Sequence, residues 1–301
     1  MTKENSSTQS GMLLMIGAMF ILPGIDAIAK HLSDHVSAGQ ITWSRFFFQS
    51  IIMVVALLAV RGSFSSLKGL NWTAQMARGF FIAVATLFFF ASLKKLPLAE
   101  AISIFFVEPL LLTLAAPFFL GERIGWRRIC AVIVGLVGAL IIVRPSYELF
   151  GVYALLPLFA AFLFTFYFIL TRRFSEGDPL AMQLGAGLGG VLTMSLALAV
   201  GGAQSIDVLT PIYPSLSQWL FLAALGAVAT AGHMLIVMAL KKVKASILAP
   251  FQYLEIVVAT VLGFFIFDDF PDPIVWLGIA LIIGSGLFVF YREGVRANEA
   301  D

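Results

Sequence analysis

The sequence predicts an all-α integral membrane protein with ten transmembrane helices, arranged as two inverted five-helix repeats. The membrane prediction follows from composition, because 60% of the 301 residues are hydrophobic and only 12% are charged. Soluble domains carry about 25% charged residues, so this chain lacks the polar surface of a water-soluble globule. The repeat prediction follows from a match of the sequence to itself at an offset of 147 residues. One cysteine excludes an internal disulfide, and a net charge of +2 gives no indication of a nucleic-acid partner.

Ten apolar stretches are each long enough to cross a bilayer, since a transmembrane helix needs about 20 residues. They leave only short connectors, and they lack the alternating hydrophobicity of barrel strands. The first stretch also has signal-peptide character, but Lys3 is offset by Glu4 and Pro23-Gly24 interrupts its apolar core, so we interpret it as a span. The predicted spans are 11–32, 41–60, 73–94, 98–120, 127–143, 151–171, 180–200, 216–240, 245–267 and 273–291.

Lysine and arginine in the short loops predict the orientation. If the amino terminus is cytoplasmic, thirteen basic residues fall on the cytoplasmic face and only Lys30, Lys94, Lys95 and Arg144 on the other. Cytoplasmic loops carry the excess of basic residues. We therefore expect a multi-pass protein of the cell inner (plasma) membrane with both termini in the cytoplasm.

The chain matches itself at an offset of 147 residues, which is the separation of Glu108 from Glu255. At the same offset, Leu93-Lys94-Lys95 falls on Leu240-Lys241-Lys242. We therefore expect a first repeat over 1–147 and a second over 148–301. Each half holds five spans, an odd number, so the second half must cross the membrane in the opposite sense. Inverted repeats of this kind are typical of transporters.

Glu108 and Glu255 lie near the centres of their predicted spans. A carboxylate at that depth costs several kcal/mol unless it is protonated, paired or facing a wet cavity. We interpret the two as substrate-binding or proton-coupling groups of a central cavity; the alternative is a pair of neutral glutamates that join helices. Gln252, Tyr253 and Gln49 supply further hydrogen-bonding groups at similar depth.

Prolines support a site near these acids, because proline removes a helical hydrogen bond. Pro109 follows Glu108, and Pro250 precedes Glu255 by five residues. Pro23 and Pro157 occupy the first and sixth spans, the other repeat-related pair. Interrupted spans in corresponding halves point to a binding site at the membrane midplane.

Three charged residues form a candidate gate or structural ion pair toward the outer face. Asp26 and Lys30 are four residues apart on one helix, so they can pair on the same side. Arg45, in the second span, is close enough in depth to reach Asp26. A further arginine, Arg78, is expected to extend from the third span to lipid phosphates.

Two alternatives to transport stay open. Asp268-Asp269-Phe270-Pro271-Asp272 matches the DDxxD pattern with which membrane-embedded, metal-dependent enzymes hold a lipid diphosphate, but the sequence has no second acidic motif. A non-transporting membrane sensor is the other alternative. We expect no catalytic residues, no resident metal and no cofactor.

Several motifs together resemble the EamA-type branch of the drug/metabolite transporter superfamily, over nearly the whole chain. The second copy departs from the family pattern where Asp268-Asp269-Phe270 replaces the usual Gly-Glu turn, and Glu108 stands where many relatives have a neutral residue. The matching motifs are Asp26-Ala27-Ile28-Ala29-Lys30, Trp43-Ser44-Arg45-Phe46, Phe118-Phe119-Leu120-Gly121-Glu122-Arg123 and Gly125-Trp126-Arg127-Arg128, followed by a glycine-bearing span that ends at Arg144-Pro145.

The resemblance implies ten spans, cytoplasmic termini and alternating access around a central cavity. It implies a secondary active transporter of a small organic metabolite, such as an amino acid, vitamin, nucleobase or drug-like solute. We expect membrane lipid and this solute as partners, with proton coupling through the glutamates, and a monomer or homodimer. The family does not name the solute.

Overall fold

The computed structural model describes residues 3–119, 126–174, 177–240, 242 and 251–300. Over these ranges the chain folds into helices and no strand, which confirms the predicted all-α class. Short 3₁₀ turns lie at Ser65–Leu67, Gly151–Leu155 and Asp207–Leu209. The helices are α1 Lys3–Leu32, α2 Ala38–Arg61, α3 Trp72–Leu93, α4 Leu98–Phe105, α5 Glu108–Phe119, α6 Trp126–Phe150, α7 Leu156–Arg173, α8 Pro179–Ala203, α9 Leu216–Leu240, α10 Leu254–Phe267 and α11 Pro273–Ala300.

The helices are long and apolar enough for a multi-pass membrane protein. Within the described ranges, seven segments have the length and composition to cross a bilayer, and one of them, Ile129–Thr171, runs through α6 and α7 together. Two shorter apolar helices, Leu254–Phe267 and Pro273–Phe288, follow. The predicted number of ten crossings remains a prediction.

Contacts between helix ends reveal which ends share a membrane face. Arg61 at the end of α2 pairs with Asp178, the residue before α8, at 2.8 Å. The amine of Lys242, just after α9, donates to Ser10 of α1 at 2.8 Å. We call this face, on which α1 begins, the amino-terminal face. Because α8 begins where its repeat counterpart α2 ends, the two halves run in opposite senses, as predicted.

Contacts on the opposite face agree with this arrangement. The Gln40 side chain at the start of α2 donates to the backbone oxygen of Ile212 at 3.1 Å and accepts from its N–H at 2.9 Å. Lys30 near the end of α1 pairs with Asp269, just after α10, at 3.1 Å. The beginning of α9 and the end of α10 therefore both lie on this face.

Helix boundaries follow the repeat offset. α5 begins at Glu108 and α10 begins at Leu254, which agrees within one residue with the 147-residue offset that separates Glu108 from Glu255. The division into 1–147 and 148–301 remains a prediction in its boundaries.

The fourth predicted span is broken into α4 and α5 by a turn at Phe106 and Val107. Pro109 explains the break, because it cannot donate a backbone hydrogen bond and fits best in the first turn of a helix. The N–H of Leu110 returns to the Val107 oxygen at 3.0 Å and starts α5. Glu108 consequently stands at the amino end of a half-helix.

The second half has a related interruption at Tyr253, directly before α10, which places Glu255 in the first turn of that helix. Pro250 lies outside the described residues. The other two prolines cause no break: Pro23 lies within the continuous α1, and Pro157 lies at the start of α7. Of the two repeat-related proline pairs, only the glutamate-bearing one shows an interruption within the described residues.

Small residues allow close packing within the chain. A Cβ added to Gly79 of α3 would lie 2.5 Å from the backbone oxygen of Ala186 in α8. A Cβ on Gly138 of α6 would lie 2.9 Å from the oxygen of Gly278 in α11. These helix pairs are in backbone contact, which only small residues permit.

Candidate functional site

A cavity of about 410 Å³ lies between the two halves. Residues from both repeats line it, and they include both predicted glutamates, Glu108 and Glu255. The two residues are equivalent under the repeat, so each half contributes the same position of its sequence to the cavity lining. The lining also contains Asp26, Arg45, Arg78, His233 and the tyrosine Tyr167.

The helix breaks position the two glutamates. Glu108 at the start of α5 is 7% exposed, and its Oε1 is buried without a hydrogen-bond partner among the described residues. Glu255 in the first turn of α10 is half-buried. Negative groups are favourable in the first turn of a helix because free N–H groups point toward them. Each half therefore contributes a carboxyl group at a helix amino end facing one cavity.

Two arginines face the same cavity from α2 and α3. Arg45 is 7% exposed, and its Nη1 donates to Thr86 Oγ1. Its guanidinium carbon lies 5.0 Å from the Phe46 ring centre, while Nε is buried without a partner among the described residues. Asp26 interacts electrostatically with Arg45. The predicted Asp26–Arg45 proximity is thus present, but the structure records no direct ion pair between them in the described chain.

Arg78 has a different environment from the one predicted. Its Nε donates to Thr171 at 2.9 Å, and its Nη1 donates to Gln75 Oε1 and, at 3.5 Å, to the Met182 oxygen. The Tyr167 ring lies 5.3 Å from its guanidinium carbon. With 3% exposure, Arg78 joins α3, α7 and α8 inside the bundle. The prediction that it extends to lipid phosphates is wrong, because these partners satisfy it internally.

Aromatic side chains form much of the cavity wall. They come from both halves and present large apolar faces, with which a planar ring of a solute can stack. Met19, Leu22, Ile25 and Ile102 add aliphatic surface. The aromatic lining residues are Phe89, Phe90, Phe105, Phe106, Phe164, Tyr167 and Phe168.

The cavity extends toward the amino-terminal face. Its lining there includes Thr171 near the end of α7 and Pro179 at the start of α8. Toward the opposite face, the chain is tightly packed: Leu32, Leu93 and Leu96 are each no more than 1% exposed. The cavity therefore lies nearer to the amino-terminal face than to the packed opposite face.

Lys30 adds a polar connection on the closed side. Its Nζ donates to the Leu96 oxygen at 2.7 Å and pairs with Asp269 at 3.1 Å. It also lies 5.3 Å from the Phe267 ring centre. Lys30 thus joins the end of α1 to the α3–α4 turn and to the loop after α10, rather than pairing with Asp26.

Of the other predicted site residues, one lines the cavity and two do not. Gln252 lines the cavity. Gln49 is 5% exposed and packs near Gly187 and Gly226, away from the lining. Tyr253 is 5% exposed, its ring centre lies 5.5 Å from that of Phe106, and its hydroxyl has no partner among the described residues. Neither Gln49 nor Tyr253 is among the residues that line the cavity.

The EamA-like transporter family matches the chain twice, over residues 9–144 and 151–291. The chain belongs to this family. As an EamA-like transporter, it is a multi-pass membrane protein whose duplicated domain accounts for the two inverted halves. A solved crystal structure has the same fold, with a TM-score of 0.66 at 23% identity, covering 93% of this chain and 97% of the other.

Named relatives of this EamA-like protein are transporters of different solutes. The S-adenosylmethionine uptake transporter of Rickettsia bellii is 28% identical and covers 89% of each chain. A riboflavin transporter of Brucella anthropi is 26% identical over 84% of this chain and 89% of its own length. A pseudopaline exporter of Pseudomonas aeruginosa is 28% identical, over 91% and 94%. The relatives favour transport over catalysis, and they include both uptake and export.

Proposed function

We propose that this protein is a secondary active transporter that moves a small organic solute through the Glu108–Glu255 cavity by alternating access. The observation that carries the proposal is the shared cavity itself, which receives one carboxyl group from each inverted half at an interrupted helix. Interrupted helices at a repeat interface are the usual location of transporter binding sites. Inverted halves also allow two states, each open to one face, of similar energy.

The cavity lining favours a solute with a planar ring. Seven aromatic side chains border a volume of about 410 Å³, which falls within the range of about 300–1,000 Å³ typical of small-molecule sites. S-adenosylmethionine and riboflavin, the solutes of named relatives, both contain such a ring. They are therefore the first solutes to test.

Glu108 and Glu255 are our candidates for solute contact and for carrying a coupling proton. A carboxyl group that faces a cavity can exchange a proton or a cationic substrate group without exposure to lipid. Gln252 adds a neutral polar group beside them. We assign Gln49 and Tyr253 supporting roles behind the wall, where they hold lining residues in place.

We propose further that Lys30 and Asp269 form the gate on the face opposite the amino terminus. The pair connects the first half of the protein to the second, so opening that face must separate the two charges. With both termini in the cytoplasm of an inner-membrane protein, as the basic loops favour, the gate faces outward and the present state is accessible from inside.

Counterflow in proteoliposomes tests the transport proposal. Purified protein is reconstituted with unlabelled solute inside, and entry of labelled S-adenosylmethionine, riboflavin, amino acids and nucleobases is followed with and without a pH gradient. We expect uptake of at least one ring-containing solute, with stimulation by the gradient if a proton is coupled. Protein-free liposomes and the Glu108→Gln, Glu255→Gln double variant are the controls. Absence of flux for the whole panel would contradict the proposal.

A further inference from the structure

We propose that the cavity binds a dipolar solute, with Arg45 as the pole for its anionic group and Glu108 as the pole for its cationic group. This inference rests on the proposed transport function and deepens it by assigning the charge of the solute. It also gives Arg45 a role in binding that differs from the predicted gate.

Charges buried without a counter-charge are costly, and Arg45 and Glu108 are both in this position. Arg45 and Glu108 are each 7% exposed, and both line the cavity. Within the described chain, the ion pairs are Lys30–Asp269 and Arg61–Asp178, so neither pole is neutralised by direct contact. A buried charge without a partner costs several kcal/mol. A solute group of opposite charge that binds each residue would offset this cost.

Each pole also retains an atom without a hydrogen-bond partner among the described residues. Thr86 takes one donor of Arg45, and Nε stays unpaired; on Glu108, Oε1 stays unpaired. A guanidinium presents its donors as a planar fork that matches a carboxylate with two hydrogen bonds. A carboxylate accepts from an ammonium group or attracts another organic cation. The two residues therefore complement opposite ends of one solute.

Arg78, the second arginine in the lining, differs from Arg45 in its hydrogen bonds. Its donors are taken by Thr171, Gln75 and the Met182 oxygen. Arg78 is thus satisfied by the protein itself, while Arg45 is not. Asp26 acts on Arg45 electrostatically without a direct ion pair among the described residues, so it moderates the positive field and leaves the hydrogen bonds of Arg45 free. The aromatic side chains that line the same cavity as both poles suit a ring that carries both charged groups.

Two series of aromatic probes that differ in charge test the assignment. One series is tryptophan, tryptamine and indole-3-propionate, and the other is S-adenosylmethionine with its decarboxylated form. Binding to the purified full-length protein is measured from ligand-induced shifts in melting temperature. We expect at least one dipolar probe to bind about tenfold or more tightly than its analogues that carry charge of one sign only, as one charge-assisted hydrogen bond implies.

Variants then assign the poles. Arg45→Gln should abolish the preference over the cation-only probe, and Glu108→Gln should abolish the preference over the anion-only probe. Arg61→Gln removes an arginine outside the cavity and should leave both preferences unchanged. Gel filtration verifies folding; if a glutamine variant aggregates, Arg45→Lys and Glu108→Asp replace it and should weaken the same preference partially.

Two results would overturn the dipolar site: probes with charge of one sign only that bind wild-type protein as tightly as dipolar ones, or no binding by any dipolar probe. Neither result alone contradicts transport. If counterflow then shows flux of a neutral or singly charged solute, the proposed function stands and the dipolar assignment falls. If no solute moves, the proposed function falls as well.

Discussion

Glu108 and Glu255 occupy equivalent positions in the two halves but differ in burial. Glu108 is 7% exposed and retains an unpaired oxygen, whereas Glu255 is half-buried and interacts electrostatically with Asp26. The inverted repeat therefore does not make the two acids equal in this state. We expect Glu108 to contribute more to solute affinity. We expect Glu255, through its electrostatic interaction with Asp26, to contribute more to proton coupling.

Glutamine substitution tests this difference, because it keeps the shape and removes the charge. Glu108→Gln should lower counterflow about tenfold or more, since a charge-assisted hydrogen bond contributes about 1.5–3 kcal/mol. Glu255→Gln should reduce counterflow less but remove its response to a pH gradient. Initial rates at several solute concentrations separate the two effects.

Glu148→Gln is the matched control, because Glu148 is an exposed carboxylate of α6 outside the cavity lining. Near-normal rates in both Glu108→Gln and Glu255→Gln proteins would remove the glutamates from the mechanism. Equal losses in all three variants would indicate a general effect on folding.

The sequence predicted that Glu108 and Glu255 line one cavity, and both are in its lining. It did not predict which polar atoms of the site lack a hydrogen-bond partner. The common offset of Glu108 and Glu255 is visible in one dimension. The partners of Arg45 and Arg78 are distant in sequence: Thr86 for one, Thr171 and Met182 for the other. No local pattern distinguishes a satisfied arginine from an unsatisfied one, so both roles required the packed structure.

Among the helices, the α4–α5 break was predictable and other details were not. Pro109 beside Glu108 marks the break, because its ring fits only the first turn of the new helix. Pro23 was an equally good sequence signal, yet α1 continues through it; membrane helices tolerate proline when neighbouring groups compensate. Likewise, the spacing of Asp26 and Lys30 favoured a local pair, whereas Lys30 contacts Asp269 from the other half.

Packing between α3 and α8 depends on Gly79. A methyl group there would lie 2.5 Å from the Ala186 oxygen and 2.6 Å from the Gly189 Cα, both backbone atoms that cannot rotate away. Gly79→Ala should therefore lower the melting temperature, at a cost of about 1–3 kcal/mol for overpacking. Gly284→Ala is the matched control, since a Cβ there has no neighbour within 4 Å. An unchanged melting temperature in both variants would contradict the close α3–α8 contact.

The proposed gate predicts a change in access when Lys30 is removed. In a Cys130→Ser background, Gln252→Cys places a thiol in the cavity, and a membrane-impermeant maleimide is applied from the face opposite the amino terminus. Lys30→Ala should increase labelling about fivefold, because a partly exposed ion pair stabilises the closed face by about 1 kcal/mol. The rate of labelling is followed by mass spectrometry.

Lys95→Ala is the control for the gate, because Lys95 is exposed just after α3 on the same face. The exchange Lys30→Asp with Asp269→Lys should restore slow labelling if the pairing matters rather than either residue alone. Labelling that stays slow in Lys30→Ala protein would exclude the pair as a gate and leave closure to the leucines around it.

For the whole molecule, the opposite senses of the two halves follow from the inverted repeat. The orientation of the protein in the membrane follows from the lysines and arginines of its loops. The opposite senses of α2 and α8 are fixed by the Arg61–Asp178 contact, whichever face is cytoplasmic. The excess of lysine and arginine on the amino-terminal face favours the cytoplasm for that side. If so, the cavity is accessible from the cytoplasm in this state, and the loop containing Asp269 faces outward.

Single cysteines in exposed loops decide this orientation. In the Cys130→Ser background, Phe270→Cys lies in the α10–α11 loop and Lys68→Cys between α2 and α3, both at exposed positions. A membrane-impermeant maleimide applied to intact spheroplasts should label residue 270 at once, and residue 68 only after permeabilisation, because the inner membrane blocks the reagent. The reverse pattern would place the termini outside and the gate of Lys30 and Asp269 in the cytoplasm. The same cavity would then be accessible from outside the cell, as uptake requires in its first step.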